Sequence, residues 1–266
     1  MIECLIVAVL TQTPDEAAAI DEAASPTIVD VNPGVWLTRV RGNTTFGGAA
    51  LKLDEVMGVD DLNAAFRGEM TIRNDDWAVK IKGVTLSTSG RAEVSGGSWG
   101  GRTITAGDAT SFDMTWLQLE GHWRAWTPMG DGRFETNEAM DLSFGPHIAA
   151  SYIDLEESLT SGGVPVRASG AWWSVLAGLQ MNMAADLRQL VPWLHQLRVG
   201  ISGQAGTTVG QGSFAWSVEG GLTLMVTPNV GAIVGYRLME FNELKSGDWE
   251  VSPRFPGLFI GANVSF

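Results

Sequence analysis

The sequence predicts an all-β chain that folds as a closed, antiparallel, up-and-down transmembrane β-barrel of about ten strands. Apolar and polar residues alternate through much of the chain with the period of two that an extended strand imposes. No stretch approaches the roughly 18 consecutive apolar residues of a membrane helix, so a membrane role would require a closed barrel. The last strand ends on the aromatic Phe266, as the closing strand of a membrane barrel commonly does.

The first five predicted strands each carry apolar residues on one face. In residues 64–73, Phe66 and Met70 alternate with Arg67 and Glu69. The turn at 74–76 consists of Asn and Asp, which turns favour. These five strands are Gly34–Arg41, Ala64–Arg73, Trp77–Leu86, Phe112–Trp126 and Met140–Ile153.

Five more strands are predicted in the second half of the chain. The clearest alternation is in residues 214–226, where Trp216 and Val218 lie on the face opposite Ser217 and Glu219. These strands are Trp173–Met183, Leu197–Gln204, Phe214–Val226, Val230–Phe241 and Pro256–Phe266. Eight or twelve strands remain alternatives, because boundaries inferred from a sequence err by a few residues.

The lengths of the connections support an even number of strands. Short connections near Asn74, Pro128 and Pro228 broadly alternate with longer ones, as short periplasmic turns alternate with external loops in membrane barrels. The longer connections are predicted near 43–63, 87–110, 154–169 and 242–253. An even number would place both termini of the chain on the periplasmic side.

The N-terminal part differs in composition from the rest. Residues 5–10 form a short apolar run that lacks the Lys or Arg of a signal peptide, and residues 11–33 are rich in Ala, Asp, Glu and Pro. We therefore expect residues 1–33 to be a residual signal segment with a periplasmic tail, and residues 34–266 to be the transmembrane barrel. Cys4 is the only cysteine, so a disulfide framework is excluded.

The overall charge limits the classes of partner. A formal net charge of −13 and a pI of about 4.6 argue against a nucleic-acid-binding protein, which would have a basic face. They also argue against electrostatic anchoring on anionic lipid, which uses Lys and Arg.

The alternation fits a barrel with its apolar face outward. The predicted strands approach the roughly 9–11 residues that cross a bilayer with tilt. Aromatic residues also recur near strand ends or on the apolar face, as in the girdles of membrane barrels. These aromatic residues are Trp77, Trp123, Trp126, Trp173, Trp193, Trp216 and Tyr236. A soluble lipocalin-type barrel is the alternative fold.

Three stretches resemble a known class of protein: residues 35–48 with 64–69, residues 221–237, and residues 256–266. Together they resemble uncharacterised, porin-like outer-membrane β-barrel proteins of Gram-negative-type bacteria. The resemblance covers roughly residues 34–266. It implies residence in the bacterial outer membrane and supplies no catalytic residues. The incomplete signal segment departs from the family pattern.

The polar face of the strands is expected to line the lumen. Its ionisable residues would form either a network of ion pairs that holds the barrel rigid or a path for small solutes. With Arg39 included, seven Arg and Lys oppose four acids, which would favour anions. The other predicted lumen residues are Arg67, Glu69, Lys80, Lys82, Glu120, His122, Arg124, Asp141, His147, Arg198, Glu219 and Arg237.

Catalysis has weak support in the sequence. His122 and His147 are the candidates for proton transfer within strands, but a G-x-S-x-G nucleophile motif is absent. The acidic residues Asp54, Glu55, Asp60 and Asp61 lack EF-hand spacing and are expected to be solvated. The Gly-rich segment 96–101 is expected to be a flexible external loop. We therefore expect no enzyme activity, no cofactor and no metal.

The expected function is that of an outer-membrane β-barrel protein. It would be a narrow porin-like channel or a structural membrane protein with long acidic external loops. Its partners would be outer-membrane lipid and small solutes, and not nucleic acid. The alternatives are a surface adhesion or scaffold barrel and an outer-membrane hydrolase that uses His122 or His147.

Overall fold

The computed structural model of the chain describes residues 27–54, 57–59, 61–74, 76–93, 95–130, 140–188 and 191–266. Within these residues no helix is both long and apolar enough to cross a membrane. The strands of the described residues are β1 Ile28–Thr38, β2 Arg41–Phe46, β3 Leu51–Lys52, β4 Asn63–Arg73, β5 Trp77–Arg91, β6 Ser98–Trp99, β7 Arg102–Thr103, β8 Ala109–Trp123, β9 Trp126–Met129, β10 Met140–Ser161, β11 Val164–Asp186, β12 Gln196–Thr208, β13 Phe214–Met225, β14 Val230–Phe241, β15 Leu244–Ser246 and β16 Trp249–Ser265.

Ten of these strands close into a single antiparallel barrel. Their order is β1-β4-β5-β8-β10-β11-β12-β13-β14-β16, and β1 also pairs with β16. The closing pair aligns Asp30 with Ser265 and Trp36 with Phe259. Closure removes the unpaired strand edges that a bilayer could not hydrogen-bond. The predicted fold class, with about ten strands, is confirmed.

The outer surface of the barrel is an apolar band. Leu179, Ile260 and Phe66 are each at least 59 % exposed, whereas Arg237 is 1 % exposed. A soluble barrel would have the opposite arrangement, so that alternative is wrong. Exposed apolar residues occur all around the barrel: Val35, Phe66, Ile81, Leu117, Leu119, Ile148, Val175, Leu179, Ile201, Val218, Leu224, Val234, Leu258 and Ile260. The chain is therefore a transmembrane β-barrel of the outer-membrane type.

The two ends of the barrel differ. At one end, the turn end, β1 begins and β16 ends, and the pairs β4–β5, β8–β10, β11–β12 and β13–β14 are connected there. At the opposite end, the loop end, the pairs β1–β4, β5–β8, β10–β11, β12–β13 and β14–β16 are connected. In outer-membrane barrels generally, short turns lie on the periplasmic side and longer loops lie outside the cell.

The prediction of a long connection at residues 154–169 is wrong. These residues continue β10 and β11 into a long hairpin that is paired from Met140 with Ala185 to Ser161 with Val164. Its two-residue turn has positive φ at Gly162 and Gly163, 58° and 80°, which a glycine pair adopts without strain. The Gly-Gly pair was the available sequence signal for this hairpin.

The first strand begins at Ile28, six residues before the predicted start at Gly34. Val29 and Val31 alternate with Asp30 and Asn32, and this pattern marks residues 28–33 as strand. The predicted signal segment and most of the predicted tail, residues 1–26, lie outside the described residues.

Candidate functional site

The lumen has a polar half near the turn end that contains the predicted ionisable residues. Arg67, Lys82, Glu120, His122, Asp141, His147 and Arg237 are buried, and Glu69, Lys80, Arg124, Arg198 and Glu219 are partly buried. Arg39 was also expected to face inward, but it is exposed. Val35 and Leu37 face outward on β1. Arg39 lies two residues after Leu37 in the same alternation, just beyond the end of β1, so its side chain also points out of the barrel.

Glu219 on β13 binds cations from three other strands. One carboxylate oxygen lies 2.6 Å from an Arg67 guanidinium nitrogen. The other oxygen lies 3.2 Å from Lys82 Nζ and 3.7 Å from Arg237 Nη1. Arg67 also pairs with Glu69 at 2.8 Å. A carboxylate with several close cations is stabilised in its ionised form, and it fixes these strands relative to one another.

The two lumen histidines stack on each other and contact acceptors other than serine. Their ring centroids lie 4.9 Å apart with an interplanar angle of 28°. His122 Nε2 lies 2.7 Å from Glu120 Oε2, and Glu120 also pairs with Lys82 at 3.1 Å. His147 Nε2 lies 3.3 Å from Gln204 Oε1. Within the described residues, the Nδ1 atoms of both histidines have no hydrogen-bond partner, so neither ring is bonded to a serine hydroxyl that it could activate as a nucleophile.

A second cluster of polar residues stabilises the pair of strands that closes the barrel, β1 and β16. Arg73 Nε donates to Asp30 at 2.8 Å, and Arg198 lies 3.8 Å from the same carboxylate. The Ser265 hydroxyl also donates to Asp30. Asn263 donates to Asn32 at 2.6 Å, so a hydrogen bond between side chains crosses the β1–β16 pair. Asp30 and Asn32 were missed because residues 28–33 were assigned to the tail.

The polar half encloses a cavity of about 200 Å³. The cavity reaches Asn74 and Asp76 in a turn-end connection, so it approaches the mouth of the barrel at the turn end. Of the predicted lumen residues, Glu69, Lys80, Lys82, His122, Arg124, Arg198 and Glu219 line it.

The half of the lumen near the loop end is filled by apolar side chains, which we call the apolar cap. Two cations lie against the side of the cap that faces the polar half. Arg237 Cζ is 4.0 Å from the Trp116 ring centroid, and Arg67 Cζ is 4.0 Å from the Phe259 ring centroid. Such contacts stabilise a cation against an aromatic face. The largest fully buried cap residues are Trp36, Leu53, Met57, Trp99, Ile104, Phe112, Met114, Trp116, Phe241, Trp249 and Phe255.

The loops contribute to the cap, contrary to the expectation of flexible, polar loops. Trp99 lies in the hairpin β6–β7 and is fully buried, and Ile104 follows it. Leu53 and Met57, from the acidic connection, are 1 % exposed. The Gly-rich segment 96–101 therefore includes a buried tryptophan.

Glu157 is a carboxylic acid inside the apolar cap. Its side chain is fully buried, and one oxygen accepts hydrogen bonds from Thr44 Oγ1 at 2.6 Å and Trp249 Nε1 at 3.2 Å. Trp99 Nε1 donates to the same Thr44 hydroxyl at 3.3 Å. The other oxygen has no hydrogen-bond partner in the described part of the chain. Burial raises the pKa of this carboxyl to about 7, because the charged form loses its hydration.

The described residues contain no group of three or more His, Cys, Asp or Glu arranged to hold a metal ion. Of the acidic residues considered for calcium, Asp61 is exposed and Asp54 is partly exposed. Glu55 and Asp60 lie outside the described residues.

The apolar cap had a signal in the sequence that the prediction did not use. Along β8, the inward residues change from His122, Glu120 and Gln118 near the turn end to Trp116 and Phe112 near the loop end. Over residues 112–116 the large apolar side chains face inward, whereas Asp113 and Thr115 face outward, so the alternation there is opposite to that of the membrane-spanning part. The alternation was interpreted as one polar face along each whole strand.

No protein-family model matches this sequence, and no curated protein sequence matches it. Solved structures do match. Ail, the attachment invasion locus protein of Yersinia pestis, is 13 % identical with a TM-score of 0.37, over 90 % of this chain and 98 % of Ail. The outer membrane protease OmpT from Escherichia coli is 9 % identical with a TM-score of 0.43, over 90 % of this chain and 97 % of OmpT.

The outer membrane protein OprG from Pseudomonas aeruginosa is 14 % identical with a TM-score of 0.34, over 91 % of this chain and 96 % of OprG. At these identities the likeness concerns the fold alone.

Proposed function

We propose that this protein is a closed structural barrel of the bacterial outer membrane that supports a rigid β-hairpin at the cell surface. The apolar cap is the observation that carries the proposal. An ion in a conducting pore needs a continuous polar or wet path, and packed aromatic rings exclude one. Trp36, Trp116 and Phe255 are each at most 1 % exposed within the barrel.

The long hairpin β10–β11 supports the scaffold part of the proposal. Its outward residues change from Ile148 and Tyr152 to Asp154 and Glu156, which indicates that the strands leave the membrane near residue 153. The eight residues from 154 to 161 then span about 26 Å along the strand, at roughly 3.3 Å per residue. The strand β8 pairs with β10 as far as Ala109 with Thr160, so the projection is a sheet and not a loose loop.

We expect the purified protein to give no conductance steps in planar bilayers. The variant W116A removes a central ring of the cap beside Arg237, and we expect it to produce transient or stable steps because water can enter the space. The conservative variant W116F keeps an aromatic ring there and should stay silent. Heat-modifiable gel mobility would verify that each variant is folded.

Steps of constant size in the wild-type protein, unchanged in W116A, would overturn the closed-barrel proposal. That result would favour the second candidate, a narrow porin-like channel for small solutes. The observation in favour of this candidate is the polar cavity of about 200 Å³, which already occupies part of the lumen.

We also propose that the protein is not an enzyme. The hydrogen bonds of His122 and His147 to Glu120 and Gln204 support this view, since these contacts orient each imidazole without activating a nucleophile.

A further inference from the structure

Three arginine side chains lie side by side on the outer surface at the loop end. Arg41 on β2 is the cross-strand partner of Arg254 on β16. The Arg39 amide donates to the Pro256 carbonyl at 3.2 Å, which places Arg39 beside the same strand. All three side chains are exposed, whereas the intervening residues Val40 and Phe255 are fully buried. We call Arg39, Arg41 and Arg254 the arginine rim.

The arginine rim lies directly above the apolar band. Val35 and Leu258 are exposed, outward-facing residues four positions from Arg39 and Arg254 along their strands. Four residues of strand span about 13 Å, and the partly buried Leu37 and Pro256 lie between. The exposed Tyr236 on the neighbouring β14 belongs to the same sector. The guanidinium groups therefore lie at the depth of lipid headgroups.

The positive charge of the arginine rim is only partly neutralised. Arg254 lies 3.7 Å from Glu240. For Arg39 and Arg41, no ion pair with another described residue is found. A different sector of the loop end has acidic outward residues, because Asp113, Asp154 and Glu156 line one groove on β8 and β10. The whole chain has a formal net charge of −13, which argues against binding to anionic lipid. This basic sector is a local exception to that overall charge.

We propose that the arginine rim binds the phosphate groups of a phosphorylated lipid in the outer leaflet. Arginine presents paired N–H donors that match phosphate oxygens, and its guanidinium is always charged. The apolar surface below the rim would contact the acyl chains of the same lipid, which favours a lipid over a free phosphate. The proposal rests on the proposed function for its orientation, with the loop end outward.

The test compares lipid binding by the folded protein in neutral detergent. The probes are monophosphoryl lipid A, dihexanoyl phosphatidic acid, dihexanoyl phosphatidylcholine and inorganic phosphate. We expect the two lipids with a terminal phosphate, monophosphoryl lipid A and dihexanoyl phosphatidic acid, to bind. The variant R39A/R41A/R254A should bind them about 100-fold more weakly, because three contacts between a cation and the phosphate are lost. Affinity should also fall as salt rises, because the site is exposed.

The control variant R167A removes an exposed arginine from β11, which lies four strands away from β16 around the barrel, and should bind like the wild type. Equal affinity in the wild type and the triple variant would overturn the proposal, as would inorganic phosphate binding as tightly as the phosphorylated lipids. Heat-modifiable mobility would confirm folding, and the single variant R41A, with an expected loss of about fivefold, provides the test if the triple variant does not fold. Conductance steps would contradict the proposed function without affecting this binding result.

Discussion

Replacing Glu219 with glutamine is expected to lower the free energy of unfolding by about 3–5 kcal/mol. Glutamine keeps the shape of the side chain but removes the negative charge that faces Arg67, Lys82 and Arg237. Arg67 would retain Glu69, and Lys82 would retain Glu120. Arg237, which is 1 % exposed, would lose the carboxylate that approaches it. Buried charges without a partner are costly, because the lumen cannot replace their hydration.

Urea unfolding in phospholipid vesicles, followed by tryptophan fluorescence, measures this loss. The matched control is Glu156→Gln, which breaks the exposed pair with Arg167 at 3.5 Å. That variant should change stability by less than about 1 kcal/mol, because an exposed pair is well solvated. If the two variants had equal effects, the Glu219 network would not be a main source of stability.

Replacing Glu157 with glutamine is expected to remove a pH dependence of stability. Thr44 and Trp249 hydrogen-bond this carboxyl, and no cation is found next to it among the described residues. Its pKa is raised from 4.5 to about 7 in the folded protein. Between these values the folded state binds a proton that the unfolded state has released, so wild-type stability should fall as pH rises from about 4.5 to 7.

The resulting loss of stability is about 3.5 kcal/mol at pH 8, because the pKa is raised from 4.5 to about 7 and each pH unit between these values corresponds to roughly 1.4 kcal/mol. E157Q should therefore equal the wild type near pH 4 and be more stable than it at pH 8. The same unfolding experiment at several pH values measures this difference. A constant difference between E157Q and the wild type across the range would contradict the account. The variant E156Q serves again as control, because Glu156 lies on the same strand and its side chain is 44 % exposed.

The barrel was predictable because its main signal is local. In β13, Val218 and Leu224 are exposed while Ser217 is buried, as the period of two requires. The same phase placed Glu219 and Arg237 in the lumen. Each of these inferences needs only the residues of a single strand.

The contacts within the lumen were not predictable, because they depend on strand register and on barrel closure. Arg67 and Glu219 are separated by 152 positions in the sequence, and their contact at 2.6 Å exists only once β4 and β13 face each other across the closed barrel. The position of Trp99 within the cap likewise depends on a loop folding back over the barrel mouth. Composition identified residues 96–101 as Gly-rich and gave no indication of that path.

The central claim is the inside-out arrangement of this barrel, and a spin-label scan of β13 tests it most directly. Single cysteines would be placed from Phe214 to Met225, with Cys4 replaced by serine, and the protein reconstituted in lipid vesicles. We predict that labels at Val218, Leu222 and Leu224 collide mainly with oxygen dissolved in lipid. Labels at Ser217, Glu219 and Thr223 should be shielded from it. A scan with the opposite phase, or with no alternation, would contradict the account.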